Sequence, residues 1–127
     1  MNKAATILCV DDEQLALTVR KMVLEHEGYR VLAATDMDQA MMLCLSNPVD
    51  LVLTDYYLQG ATTGTDLAKR IKKKKPRLKV AILSGSAEIP ENMQNVDAFL
   101  SKTLSPPEML AEVARLLDEG KGASRAA

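Results

Sequence analysis

Two aspartates close the apolar run of residues 7–14, "ILCVDDEQ". Ile7, Leu8 and Val10 favour burial, while Asp11, Asp12 and Glu13 repel one another and must be solvated or put to use. The pattern recurs along the chain. "VDLVLT" leads into Asp55, "LKVAILS" ends in Ser84, and "AFLS" runs into Lys102. Three carboxylates brought together raise one another's proton affinity. A hard divalent cation relieves that repulsion, and an all-oxygen donor set favours Mg²⁺ over zinc. Each residue alone has a plainer reading. Asp12 could cap a helix, with Glu13 favouring its dipole. Asp55 and Ser84-Gly85 could belong to turns, and Lys102 could form a surface ion pair worth about 0–1 kcal/mol. Their shared position at the ends of apolar runs sets them apart.

The elements that must position these groups alternate throughout. Apolar runs at 5–10, 30–34, 49–54, 78–84 and 98–101 read as strands, and helical patterns follow them. The first helix, residues 14–27, carries Leu15, Val19, Met22 and Val23 on one face, predicted to pack inward, and Gly28 ends it. Asp36 with Gln39, and Ser105 with Glu108, have capping-box spacing, and Thr63 with Asp66 cap the helix between them. Asn47-Pro48 breaks the second helix. Met109, Val113, Leu116 and Leu117 mark the inward face of the last. Short continuous apolar strands alternating with helices predict an α/β fold with helices on both faces of a parallel sheet. The compact solution is a doubly wound five-stranded sheet in the flavodoxin-like order 2-1-3-4-5, with ligands at the carboxyl ends of the strands where the winding reverses.

The chain has 127 residues, 47% apolar and 26% charged, enough for one domain with a real core. No apolar run approaches the roughly 20 residues that cross a bilayer, and no signal peptide is evident. A cytoplasmic protein with no membrane partner is expected. Cys9 and Cys44 form no metal-binding spacing and read as buried thiols. His26 is the only histidine. Net charge is −1, yet "KRIKKKKPRLK" at 69–79 holds eight basic residues and no acid. These lysines fall at a helix end, at the amino edge of the sheet, and read as a solvated face. Without interleaved aromatics the run argues against nucleic-acid binding by this domain alone.

The pieces "ILCVDDE", "DLVLTD", "ILSGS" and "AFLSK", in that order, resemble a response-regulator receiver domain over residues 5–118. The resemblance implies a phosphoacceptor switch fed by a sensor histidine kinase or a phosphotransfer protein, with an unknown protein downstream. It implies that Asp55 accepts the phosphoryl group. Asp11, Asp12, Asp55 and the backbone carbonyl of Tyr57 would ligate Mg²⁺. Lys102 would neutralise a phosphoryl oxygen, Ser84 would bond another, and Phe99 would turn inward on activation. The receiver domain is expected to span 1–119, and "EGKGASRAA" to fray into a flexible tail or linker over 120–127.

The chain departs from the family's pattern in four places. Thr103 follows Lys102 where the family usually has a cis proline. Gln59 stands where a proline is usual, and Gly64 lies one residue later than the usual glycine. Ser84 and Lys102 are closer in sequence than usual, so the helix between strands four and five is expected to be short or irregular. Tyr57, two residues past Asp55, would slow hydrolysis if it covered an acyl phosphate, or would simply pack on its loop. Two rival classes remain at this level. A haloacid-dehalogenase-like phosphatase would want an aspartate at the Tyr57 position. A degenerate receiver would act as a phosphorylation-independent binding or dimerisation module.

Overall fold

Branched apolar residues flanked by turn-formers build five strands: β1 Thr6–Val10, β2 Arg30–Ala34, β3 Leu51–Asp55, β4 Lys79–Ser84 and β5 Ala98–Ser101. Among the described residues four helices accompany them: α1 Gln14–His26, α2 Met37–Ser46, α3 Gly64–Lys74 and α4 Pro106–Ala126. The computed structural model describes residues 4–85 and 94–126, the last seven of these as backbone only. The strands pair in parallel in the order β2-β1-β3-β4-β5. This is the doubly wound sheet that the alternation predicts.

Side chains alternate across the strands with a period of two, which divides the core. Leu8, Val10, Val52 and Val80 face α2 and α3, where Ala40, Cys44, Leu67 and Ile71 meet them. Ile7, Cys9, Leu51, Leu53 and Leu83 face α1 and α4, where Leu17, Leu24, Val113 and Leu116 close the layer. Helices thus cover both faces.

The helix starts follow the local chemistry. Thr63 and Asp66 form a reciprocal capping box on α3. Ser105 and Glu108 do the same for α4: the Ser105 N–H donates to Glu108 Oε1 at 2.9 Å and the Glu108 N–H to Ser105 Oγ at 3.3 Å. Hydrogen bonding of the Glu108 carboxyl by the Ser105 amide, and then by its side chain, holds it below its ordinary pKa. Asp36 accepts the Gln39 N–H at 2.8 Å, but Gln39 reaches back to the Thr35 amide rather than to the cap's own. Gly28 takes the positive φ, 107°, that ends α1.

One expectation needs correction. In α1 the core face is Leu17, Arg20 and Leu24, with Val23 at its margin, while Leu15, Val19 and Met22 are 71, 52 and 63% exposed. An arginine on the inward face breaks the apolar period there, so the helix shows its clearest periodicity on the opposite side. Toward the carboxyl end, α4 runs to Ala126, across residues that the sequence marks as a tail or linker start. No proline interrupts residues 108–126, and neither Gly120 nor Gly122 takes a positive φ. The segment in which a short or irregular helix is expected, between β4 and β5, lies largely outside the described residues.

Candidate functional site

The sheet register assembles the site. Val10 pairs with Thr54, so Asp11, just past β1, lies beside Asp55, the last residue of β3. Asp55 in turn pairs with Leu83, and Ser84 with Ser101. The Lys102 amide donates to the Ser84 carbonyl at 2.9 Å, which ties the turn after β5 to the end of β4. Strands β1 and β3 flank the point where the winding reverses.

The side chains converge as their positions demand. Lys102 Nζ lies 2.9 Å from Asp55 Oδ1 and 3.6 Å from Asp11 Oδ2. Carboxylate oxygens of Asp11, Asp12 and Asp55 lie within 4.8 Å of one another. Asp11 is fully buried, Asp55 and Ser84 are buried, and Asp12 is exposed. Asp12 does not cap α1, whose N-cap is Glu13 and carries no side-chain cap bond. Asp12 is thereby left at the mouth of the cluster. Phe99 lies half-buried on β5 opposite Ile82.

The electrostatics are under tension. Burial pushes the Asp55 carboxyl above its ordinary pKa, and the Asp11 charge pushes the same way. The Lys102 hydrogen bond and charge oppose both, helped by the Tyr56 N–H. Behind the site, burial drives the Cys9 thiol up to about 12, which suits packing rather than reactivity.

The loop after β3 is pinned against the same carboxylate. The Gly64 amide donates to the Tyr56 carbonyl at 2.6 Å. A Cβ at Gly64 would come within 2.6 Å of the Asp55 carbonyl oxygen and 3.1 Å of Thr54 Cγ2. Glycine is needed here for close backbone approach, since its φ is not positive. Tyr57 pairs with Thr63 in an isolated antiparallel bridge. Its ring stands edge-on to Tyr56 at 4.7 Å and is 66% exposed, the geometry of a side chain packed on its own loop. The Lys102–Thr103 peptide is trans.

The sequence reading missed one member of the cluster. Arg20 Nη1 and Nη2 both lie 3.4 Å from Asp11 Oδ2, and the Arg20 side chain is only 10% exposed. Its signal was a basic residue at the i+3 position between Leu17 and Leu24, where an apolar one belongs.

The donor set fits a hard divalent cation. It offers three carboxylates and no sulfur or imidazole, with two members buried and one open to solvent.

Residues 7–114 match the response regulator receiver domain model. The chain belongs to this family. It is a signalling domain of two-component systems rather than a metabolic enzyme. The phosphate regulon transcriptional regulatory protein PhoB of Pseudomonas aeruginosa is 32% identical over 95% of this chain and 56% of its own length. Response regulator GtcR of Aneurinibacillus migulanus is 34% identical over 85% of this chain and 46% of its own. The chain thus spans about half the length of these relatives. Among solved structures, a CheY-like receiver domain protein of Methanospirillum hungatei superposes with a TM-score of 0.87 at 28% identity, covering 95% of this chain and 99% of that one. TrrA of Thermotoga maritima, solved in complex with Mg²⁺-BeF, superposes with a TM-score of 0.81 at 27% identity, over 88% and 98% of the two chains. In both the fold and the family this agrees with the resemblance seen in the sequence. No described helix is long and apolar enough to cross a membrane.

Proposed function

We propose that this chain is a working phosphoacceptor switch in which Asp55 takes a phosphoryl group from a sensor histidine kinase or a phosphotransfer protein. The observation that carries the reading is the 2.9 Å contact between Lys102 Nζ and Asp55 Oδ1, beside two further carboxylates. A carboxylate oxygen of Asp55 attacks phosphorus, a P–O bond forms, and the bond to the donor's nitrogen or oxygen breaks with its electron pair leaving on the donor. Such a transfer needs in-line positioning and neutralisation of oxygen charge more than covalent help.

Asp11, Asp12, Asp55 and the Tyr57 carbonyl would hold Mg²⁺, which when bound supplies positive charge to the equatorial oxygens. Lys102 supplies a second positive charge from a fixed position. Ser84, at the buried end of β4, would bond a phosphoryl oxygen, and the Lys102 amide on its carbonyl would carry the shift to β5. Phe99 lies on that strand, so its half-buried ring would report the change to a downstream protein. The reducing cytoplasm suits the free thiols Cys9 and Cys44. Removal of the Tyr57 ring would leave phosphate lifetime unchanged if the ring only packs on Tyr56, and would shorten it if the ring screens the acyl phosphate.

Intact mass after incubation with acetyl phosphate tests the reading. One phosphoryl group is expected, only with Mg²⁺ and only when Asp55 is present, so Asp55→Asn should gain none. Wild-type protein that gains no phosphate would overturn the switch and leave a binding module.

A further inference from the structure

Asp11 is crowded with positive partners. Its Oδ1 accepts the Glu13 N–H at 2.9 Å. Its Oδ2 faces both terminal nitrogens of Arg20 at 3.4 Å and Lys102 Nζ at 3.6 Å. Arg20 comes from the inward face of α1, in line with Leu17 and Leu24, and is almost wholly buried. A guanidinium cannot shed its charge. With Lys102 it offsets two of the three carboxylates before any metal arrives.

We propose that Arg20 is a resident counter-ion of the acidic pocket that competes with the divalent cation for Asp11, so that the resting site binds Mg²⁺ weakly. This rests on the metal-site reading given above. Charge bookkeeping supports it. Asp11, Asp12, Asp55, Lys102 and Arg20 sum to one negative charge. A doubly charged cation overshoots that sum, whereas the cation together with an aspartyl phosphate dianion, one negative charge more than the free carboxylate, brings it to zero. Arg20 therefore disfavours metal on the empty site and is balanced in the loaded one. A dication within about 6 Å of a fixed unit charge loses about tenfold in affinity even at the dielectric constant of water. Metal binding should also loosen the guanidinium from Oδ2. Arg20 touches no reacting atom here, so it is a positioning residue.

Calorimetric titration with Mg²⁺ tests this on wild type, Arg20→Met, Arg20→Lys and Asp12→Asn. Arg20→Met should bind Mg²⁺ about tenfold more tightly than wild type while melting lower without metal. Arg20→Lys, which keeps the charge, should stay near wild type in affinity. A purely structural arginine would lower the melting temperature and leave the dissociation constant unmoved, which would overturn the proposal. Asp12→Asn separates the two readings. If it weakens binding and Arg20→Met changes nothing, only the role of Arg20 fails. If it leaves binding unchanged, the metal is elsewhere and both readings fail. Should Arg20→Met not fold, nitrogen NMR of the wild-type Arg20 side chain decides. Saturating Mg²⁺ should shift and free its Nη signals, and signals indifferent to Mg²⁺ would overturn the proposal.

Discussion

The two edges of the sheet both gather charge, and they handle it in opposite ways. At the carboxyl edge, Asp11, Asp55 and Arg20 are drawn under cover, Lys102 reaches in to them from an exposed position, and all four share partners, so that no charge there is independent of the others. At the amino edge the lysines of residues 69–79 spread outward, and each engaged one has a separate task. Lys75 Nζ donates to the Cys44 and Asn47 carbonyls at 2.6 and 3.2 Å, closing the end of α2. Lys72 pairs with Asp97 at 2.7 Å, and Lys79 with Glu119 at 3.2 Å. Lys73 and Lys74 point to solvent. A run of like charge in sequence therefore says little. Convergence from separate strands onto buried ground marks chemistry.

The contrast can be broken most sharply at Lys102. Lys102→Ala should slow phosphoryl uptake from acetyl phosphate by roughly a hundredfold, the scale of losing one fixed charge-stabilising group. Intact-mass time courses would show it, and uptake within about threefold of wild type would mean that the ammonium is a bystander. Gly64→Ala comes next. The added methyl has no room against the Asp55 carbonyl, and the overpacking should cost about 1–3 kcal/mol in urea unfolding.

Asp55→Asn probes the tension itself. Because the folded carboxyl titrates above its unfolded value, its charged form weakens the fold. That penalty is present at neutral pH and is relieved as pH falls through the raised pKa. The variant should therefore melt higher than wild type at pH 7, and the gain should vanish toward pH 4. An equal difference at both pH values would refute the assignment. At the other edge, Lys75→Ala should cost about 1 kcal/mol through two lost bonds to helix-end carbonyls, with phosphoryl uptake untouched. Lys73→Ala should fall within about 0.5 kcal/mol of wild type in the same unfolding assay.

The strands and their polar ends were readable because buried parallel strands are short apolar runs, and whatever interrupts them at the carboxyl end must have a reason to be there. Asp11, Asp12, Asp55, Ser84 and Lys102 were legible on that ground. Arg20 was not, since its partner is nine residues away and only the packing of α1 against the sheet joins them. The inward face of α1 was misread for the same reason. Leu15, Val19 and Met22 form the cleaner apolar stripe, yet they are the ones left outside. The helical continuation past residue 119 was hidden by two glycines, whose low propensity argues for an end that no stop residue enforces.

That double-sided α1 bears on how the chain finds its native arrangement. Judged by oil and water alone, the helix could be rolled half a turn about its axis and still bury three apolar side chains against β1. A rolled helix would carry the guanidinium into solvent and leave the buried Asp11 charge with Lys102, 3.6 Å away and shared with Asp55, as its remaining cation, at a cost in stability. The ion pair thus works as a key in a lock, admitting one of two otherwise comparable packings. A mispacked form stabilised by the wrong face is the misfolding hazard to expect wherever Arg20 is lost.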